Sequence, residues 1–212
     1  MTNKLLVLAL ISFTFLFYTC GENKSDKPQD DSSNKSDLEN FSDKMKDVSE
    51  NLNEGKKVNP IDFRELKALL PETIGDLKRT NIEGEKVAAM GMNISNTNAN
   101  YSDTENSVSI DLKITDLGSV SGLSGLAAYG WYMVDIDKET ENGYEKTITY
   151  KGSKGYEKYD NQGMYGELSI MVAKRFIVEA NGNNISMDKI KAAVDLIDVS
   201  KLESWKDVGV EK

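Results

Sequence analysis

The chain has 212 residues, with 26 Lys and Arg against 35 Asp and Glu, a formal charge of −9, no histidine and one cysteine. The acidic balance argues against nucleic-acid binding, whose phosphate contacts need clustered Lys and Arg, and against binding anionic lipid by charge. Without histidine there is no Ser-His-Asp or Cys-His catalysis and no imidazole zinc site. With one cysteine there is no internal disulfide, so stability must come from a core.

Residues 5–18, "LLVLALISFTFLFY", form an uncharged run preceded by Lys4. As a helix this run covers roughly 21 Å, short of a bilayer core of about 30 Å, and it suits a secretory signal segment. It ends at Phe17-Tyr18-Thr19-Cys20, after which the chain turns polar. This junction resembles the processing site of bacterial lipoprotein precursors, where an apolar residue and two small residues precede the cysteine that becomes the lipidated N-terminus. Phe17 and Tyr18 depart from the strict pattern, as relaxed versions in some Gram-negative lineages do. The resemblance implies a signal peptide over 1–19, acylation of Cys20 (palmitate among the chains) and a partner in the membrane itself. It places the protein in the cell envelope, the outer membrane favoured over the inner, facing periplasm or cell surface. A lone thiol in an oxidising compartment invites intermolecular pairing, and conversion to a thioether removes it. One acyl chain anchors only marginally, whereas two or three hold firmly.

Residues 21–37 carry no aliphatic or aromatic side chain, so 20–37 read as the lipidated cysteine and a disordered tether with an r.m.s. span of roughly 20–25 Å. Residues 38–56 read as an amphipathic helix and linker: Leu38, Phe41, Met45, Val48 and Leu52 form a narrow apolar stripe. Such a stripe packs on its own domain or docks a partner.

The globular domain is expected over 57–205, with 206–212 as a tail. Asn59 as N-cap and Pro60 at the first helical position predict a helix over 60–70, with Phe63, Leu66 and Leu70 on one face and Pro71 ending it. Residues 86–94 and 97–102 read as strands. Val108, Ile110, Leu112 and Ile114 alternate with polar residues, as in a strand with one buried face. The small, apolar segment 121–134 reads as a closely packed helix. Segments 143–150 and 155–162 read as a hairpin turning at Gly152. Leu168, Ile170 and Val172, then Phe176, Val178 and Ala180, read as another hairpin, with Lys174 and Arg175 as a basic tip. Ser186 caps a last helix whose Ile190, Ala193, Val194 and Ile197 share a face.

Short turns between neighbouring strands predict an α+β single domain, a mostly antiparallel sheet packed with helices on one face. This order resembles the PsbP-like α+β sandwich. Through "LLPE" (69–72), "VDIDKETENGYEK" (134–146) and "RFIVEANG" (175–182) the chain also resembles uncharacterised exported bacterial proteins. Both resemblances imply an accessory or binding role, with no catalytic residue and no cofactor.

Four groups of residues invite a functional reading. Tyr129, Trp131, Tyr132, Tyr144, Tyr150, Tyr156, Tyr159 and Tyr165 crowd one stretch; amphipathic rings on a sheet stack on sugars or peptides, although they also favour strands for packing alone. Asp135, Asp137, Glu139 and Glu141 alternate, which puts four carboxylates on one strand face as candidate calcium ligands. They form no EF-hand, since Thr140 and Lys146 stand where its glycine and glutamate belong, and a solvated acidic face explains them equally. These carboxylates, or Asp103 with Glu105, are the candidate pair for glycoside hydrolysis. Met90 and Met92 make a thin thioether site for Cu(I). The composite expectation is non-catalytic binding or scaffolding of an envelope protein or glycan at a membrane face. The alternatives are a carboxylate-dependent hydrolase of envelope or imported glycans, and a carrier of a small apolar molecule.

Overall fold

Alternation of apolar side chains in the central strands builds this molecule around one sheet, and the computed structural model describes it over residues 58–89, 92–120 and 130–211. The first four strands are β1 (Thr73–Ile74), β2 (Leu77–Ala89), β3 (Met92–Ser102) and β4 (Ser109–Val120). Five more follow: β5 (Asp137–Thr140), β6 (Gly143–Tyr150), β7 (Ser153–Asp160), β8 (Tyr165–Val172) and β9 (Phe176–Asn183). The sheet order is β1-β2-β3-β4-β9-β8-β7-β6-β5 and every neighbouring pair is antiparallel. Two meanders therefore meet where β4 pairs with β9.

Among the described residues three short helices accompany the sheet: α1 (Phe63–Lys67), α2 (Met187–Asp195) and α3 (Val199–Ser204). Leu66, Ile190, Ala193, Val194 and Leu202 from these helices share one core with Ile110, Leu112, Ile114, Leu168, Ile170, Phe176 and Val178. We call that side of the sheet the helix face. Burying each Ile or Leu there contributes about 1.5–3 kcal/mol. The expected α+β architecture is met loosely, because the sheet dominates and the helices are short.

Several elements differ from expectation for identifiable reasons. The helix expected over 60–70 is confined to Phe63–Lys67, capped by Asp62, whose Oδ1 accepts from the Arg64 N–H at 2.8 Å. Asn59 and Pro60 lie before it, next to Ile61, whose N–H donates to Asp116 Oδ2 at 2.8 Å. Segment 86–94 is two strands rather than one: Ala89 pairs with Met92 across a hairpin. Residues 77–85, mostly polar and without apolar alternation, form most of β2. Of the helix expected over 121–134, residues 121–129 lie outside the described ones, and Gly130–Tyr132 is a single 3-10 turn. The stripe over 38–52, Cys20, the tether, Met90 and Tyr129 also lie outside them.

Both later hairpins form. Lys151 and Gly152 take φ of 49° and 78°, and Ala173 and Lys174 take 52° and 54°, the positive values that twist-matched tight turns need. Arg175 is no exposed basic tip: it is 4% exposed and points inward to Asp116. Ser186 is the backbone N-cap of α2, but its hydroxyl makes no capping bond. Residues 205–210 are tied to the start of the domain. Val58 bridges Val210, and the Asn59 N–H donates to Gly209 O at 2.9 Å.

Candidate binding face

Side-chain parity on the strands divides the aromatic cluster between the two faces of the sheet. Tyr144, Tyr150 and Tyr159 point to the helix face. The Tyr144 hydroxyl donates to Glu157 Oε1 at 2.5 Å, Tyr150 to Asp195 Oδ1 at 3.0 Å and Tyr159 to Ile185 O at 3.1 Å. The first bond ties β6 to β7, and the other two fasten α2 and the loop before it to these strands. Burial raises the Tyr144 hydroxyl well above its ordinary range, and the Glu157 carboxylate adds to the effect. Burial likewise pushes Tyr150 up to about 12, with Asp195 assisting.

Glu157 sits beneath them, 1% exposed, with Lys191 Nζ at 2.7 Å and Lys146 Nζ at 3.5 Å. Burial alone would raise its pKa. The bonds from Lys191 and Tyr144 outweigh that, and the carboxyl is held below its usual value. Sequence periodicity could not single it out, because "YEKY" reads as ordinary strand alternation.

Trp131, Tyr132, Tyr156 and Tyr165 belong to the opposite side, which we call the open face: among the described residues no α-helix packs on it, and it carries the 3-10 turn and the segment 134–136, whose Val134 carbonyl and Ile136 N–H bond the Thr147 hydroxyl. Trp131 stacks on Tyr156 with centroids 6.4 Å apart and planes at 25°, and meets Tyr132 edge-on at 6.1 Å. Below them Leu117, Met171 and Ile177 form a small second core. Lys154 Nζ lies 5.9 Å over the Tyr132 ring and 2.9 Å from Asp135 Oδ1. Burial pushes the Tyr156 hydroxyl up to about 12, with the Glu145 carboxylate adding to it.

Beyond the rings the open face is polar. Asn96 and Asn98 of β3, Asp111 and Lys113 of β4 and Glu179 and Asn181 of β9 occupy successive rows. Lys113 pairs with Glu179 at 3.5 Å, Tyr165 donates to Asn181 Oδ1 at 3.3 Å, and Lys158 pairs with Glu145 at 3.3 Å. Thr115 Oγ1 is buried here with no hydrogen-bond partner among the described residues, and the buried Glu179 Oε2 faces the Lys113 ammonium. Glu167 on β8 is diagonal to Glu179, since Glu167 faces Asn181 and Ser169 faces Glu179. Burial raises the Glu167 pKa, Glu179 raises it further, and Lys158 opposes both.

The four alternating carboxylates are not gathered. Only Asp137 and Glu139 lie in β5, where all four residues are exposed; Asp135 precedes the strand and pairs with Lys154, and Glu141 is in the turn. Among the described residues no three His, Cys, Asp or Glu are placed to hold a metal ion. Asp103 is occupied as a loop acceptor for the Ser107 hydroxyl at 2.6 Å and the Ser107 N–H at 2.8 Å. No helix among the described residues is long and apolar enough to cross a membrane. Comparison with protein-family models, with curated proteins and with solved structures finds no match for this chain.

Proposed function

We propose that this protein is a lipid-anchored envelope protein whose sheet domain binds a partner without catalysing a reaction. The observation that carries this reading is the aromatic end of the open face. Trp131, Tyr132 and Tyr156 form a ring cluster on the sheet side away from the α-helices of the described residues, next to a polar field of amides and carboxylates. Such a surface suits a glycan or a polar protein segment, where ring faces stack and amides read hydroxyls or peptide groups. The anchor rests on Cys20 and the apolar run before it.

The test is a native mass spectrum of the protein taken from its own membranes in gentle detergent. A mass beginning at Cys20 plus acyl chains supports the anchor, and a chain still beginning at Met1 overturns it. Adducts lost on Trp131→Ala or Tyr156→Ala, but kept on Tyr150→Phe, support the open face as the binding surface.

A second reading, a carboxylate-dependent hydrolase, is favoured by one feature. Glu167, raised by burial, is diagonal to Glu179, and diagonal positions across an antiparallel pair lie about 7–8 Å apart, the scale of an acid and base flanking a water. Loss of a glycan-cleaving activity on both Glu167→Gln and Glu179→Gln would favour it.

A further inference from the structure

The two edges of the sheet are unlike. The β5 edge is four residues long, Asp137–Thr140, exposed and polar throughout. The other edge is covered by β1 only at Leu77 and Lys78. One further backbone bond, from the Arg79 N–H to Glu72 O at 3.0 Å, closes that corner. From residue 80 to 88 the outer side of β2 carries no strand among the described residues. Native edges are usually blunted by shortness, charged side chains, proline or bulges; here the stretch is long, lacks proline, has its one bulge at its start, between Arg79 and Asn81, and is marked by the charges of Glu83, Glu85 and Lys86.

The handedness of L-residues ties the face of a side chain to the side on which its own N–H and C=O point, for a strand of given direction. Arg79 lies on the helix face, its guanidinium on Leu70 O and Pro71 O, and its N–H points outward. Ile82, Gly84, Lys86 and Ala88 share that face; a side chain at Gly84 would meet the Phe63 ring of α1. Their N–H and C=O groups therefore point outward too. Lys67 Nζ reaches Ile82 O from outside at 3.5 Å, whereas Glu83 O points inward to the Thr97 hydroxyl at 2.7 Å. The edge thus offers a row of alternating donors and acceptors at a two-residue period.

Charge selects the occupant. Glu83 and Glu85 stand side by side on the open face, exposed, opposite Asn98 and Asn96. A second copy pairing antiparallel about a two-fold centred on this stretch would set these carboxylates against their own counterparts, and like charges opposed across strands repel. The chain as a whole is at −9. We propose that residues 80–88 of β2 accept an extended strand from a protein partner, basic at the alternate positions that meet Glu83 and Glu85. This is strand addition to an exposed edge, and it does not rest on the aromatic surface proposed above.

Two synthetic peptides test it, one alternating lysine with threonine and the other glutamate with threonine. The lysine peptide is expected to bind about tenfold more tightly. It should slow hydrogen exchange at the Ile82, Gly84, Lys86 and Ala88 amides while leaving the inward-facing Glu83 and Glu85 amides unchanged. The E83K/E85K variant should reverse the preference, and Lys86→Pro, which removes one outward donor, should abolish binding. Absence of binding, equal affinity for both peptides, or protection elsewhere would overturn the proposal. So would concentration-dependent protection of the same four amides without peptide, which would make the occupant a second copy. If Lys86→Pro does not fold, the charge-reversal variant decides alone.

Discussion

Asp116 and Arg175, 59 residues apart in sequence, meet through two bonds, Nε to Oδ1 at 2.8 Å and Nη2 to Oδ2 at 2.7 Å. The carboxylate also accepts the N–H groups of Ile61 and Gly118, both at 2.8 Å. The remaining guanidinium nitrogen donates to the carbonyls of Trp205, Lys206 and Val208 at 2.7–3.0 Å. One ion pair therefore joins the start of the domain, the β4–β9 junction and the chain after α3. At 0% and 4% exposure neither charge can fall back on water. Removing one partner strands the other, so Arg175→Met or Asp116→Asn should each cost about 3–5 kcal/mol in urea denaturation. The double replacement by apolar residues should cost less than the sum, because no charge is left uncompensated.

Gly118 adjoins this pair with φ of 49°, and a Cβ there would run into the Asn93 carbonyl. Gly118→Ala is expected to cost more than about 1 kcal/mol. Faster hydrogen exchange at Leu117 and Ile61 would locate the damage.

Glu157 makes the fold acid-sensitive. Its pKa is lowered in the folded state by Lys191 and Tyr144, which prevail over burial. The unfolded chain therefore binds this proton first as pH falls. The stabilisation is fully present above the usual carboxylate range and is lost as pH falls through the folded value. Glu157→Gln should be less stable than the parent at pH 7, and the gap should shrink as the pH drops below about 4. Chemical denaturation at a series of pH values checks this.

Glu167 should behave in the opposite sense. Burial and Glu179 raise its folded pKa, so its proton favours the folded state and that contribution fades as pH rises through the raised value. Glu167→Gln should be at least as stable as the parent at pH 7, with the difference vanishing in acid. Carboxyl-carbon NMR should find Glu167 titrating above the ordinary glutamate range.

The division of the tyrosines predicts separable phenotypes. Tyr159→Phe orphans the Ile185 carbonyl, and Tyr150→Phe removes the hydroxyl's bonds to Asp195 and the Lys191 carbonyl, leaving Lys151 on Asp195. Each should cost about 1 kcal/mol in thermal or urea unfolding, with no change in ligand binding. Trp131→Ala should leave stability nearer the parent and remove the near-ultraviolet signature of its stack on Tyr156.

Local pattern carried much of the architecture. Strict alternation in 108–114, 168–172 and 176–180 and the spacing of Ile190, Ala193, Val194 and Ile197 mark one-sided burial directly, and those segments became β4, β8, β9 and α2. The 77–85 part of β2 was illegible because an edge strand packed on few neighbours needs no apolar alternation. Its pairing comes from the β3 hairpin rather than from its own side chains.

The aromatic cluster was visible as composition, but its use was not. Whether a tyrosine faces α2 or the open side depends on a strand parity that shifts with each turn and bulge, and a one-residue change reverses it. Glu157, Asp116 and Arg175 were hidden for a related reason. A charged residue is read as exposed until a partner far along the chain is known, and the sequence alone does not supply that partner. Composition determined what this protein lacks, the chemistry of histidine and of disulfides, since those need residue types and no geometry. Only the tertiary structure decided which charges are buried, which rings are free and which strand edge is open, because each follows from contacts between segments that local periodicity does not encode.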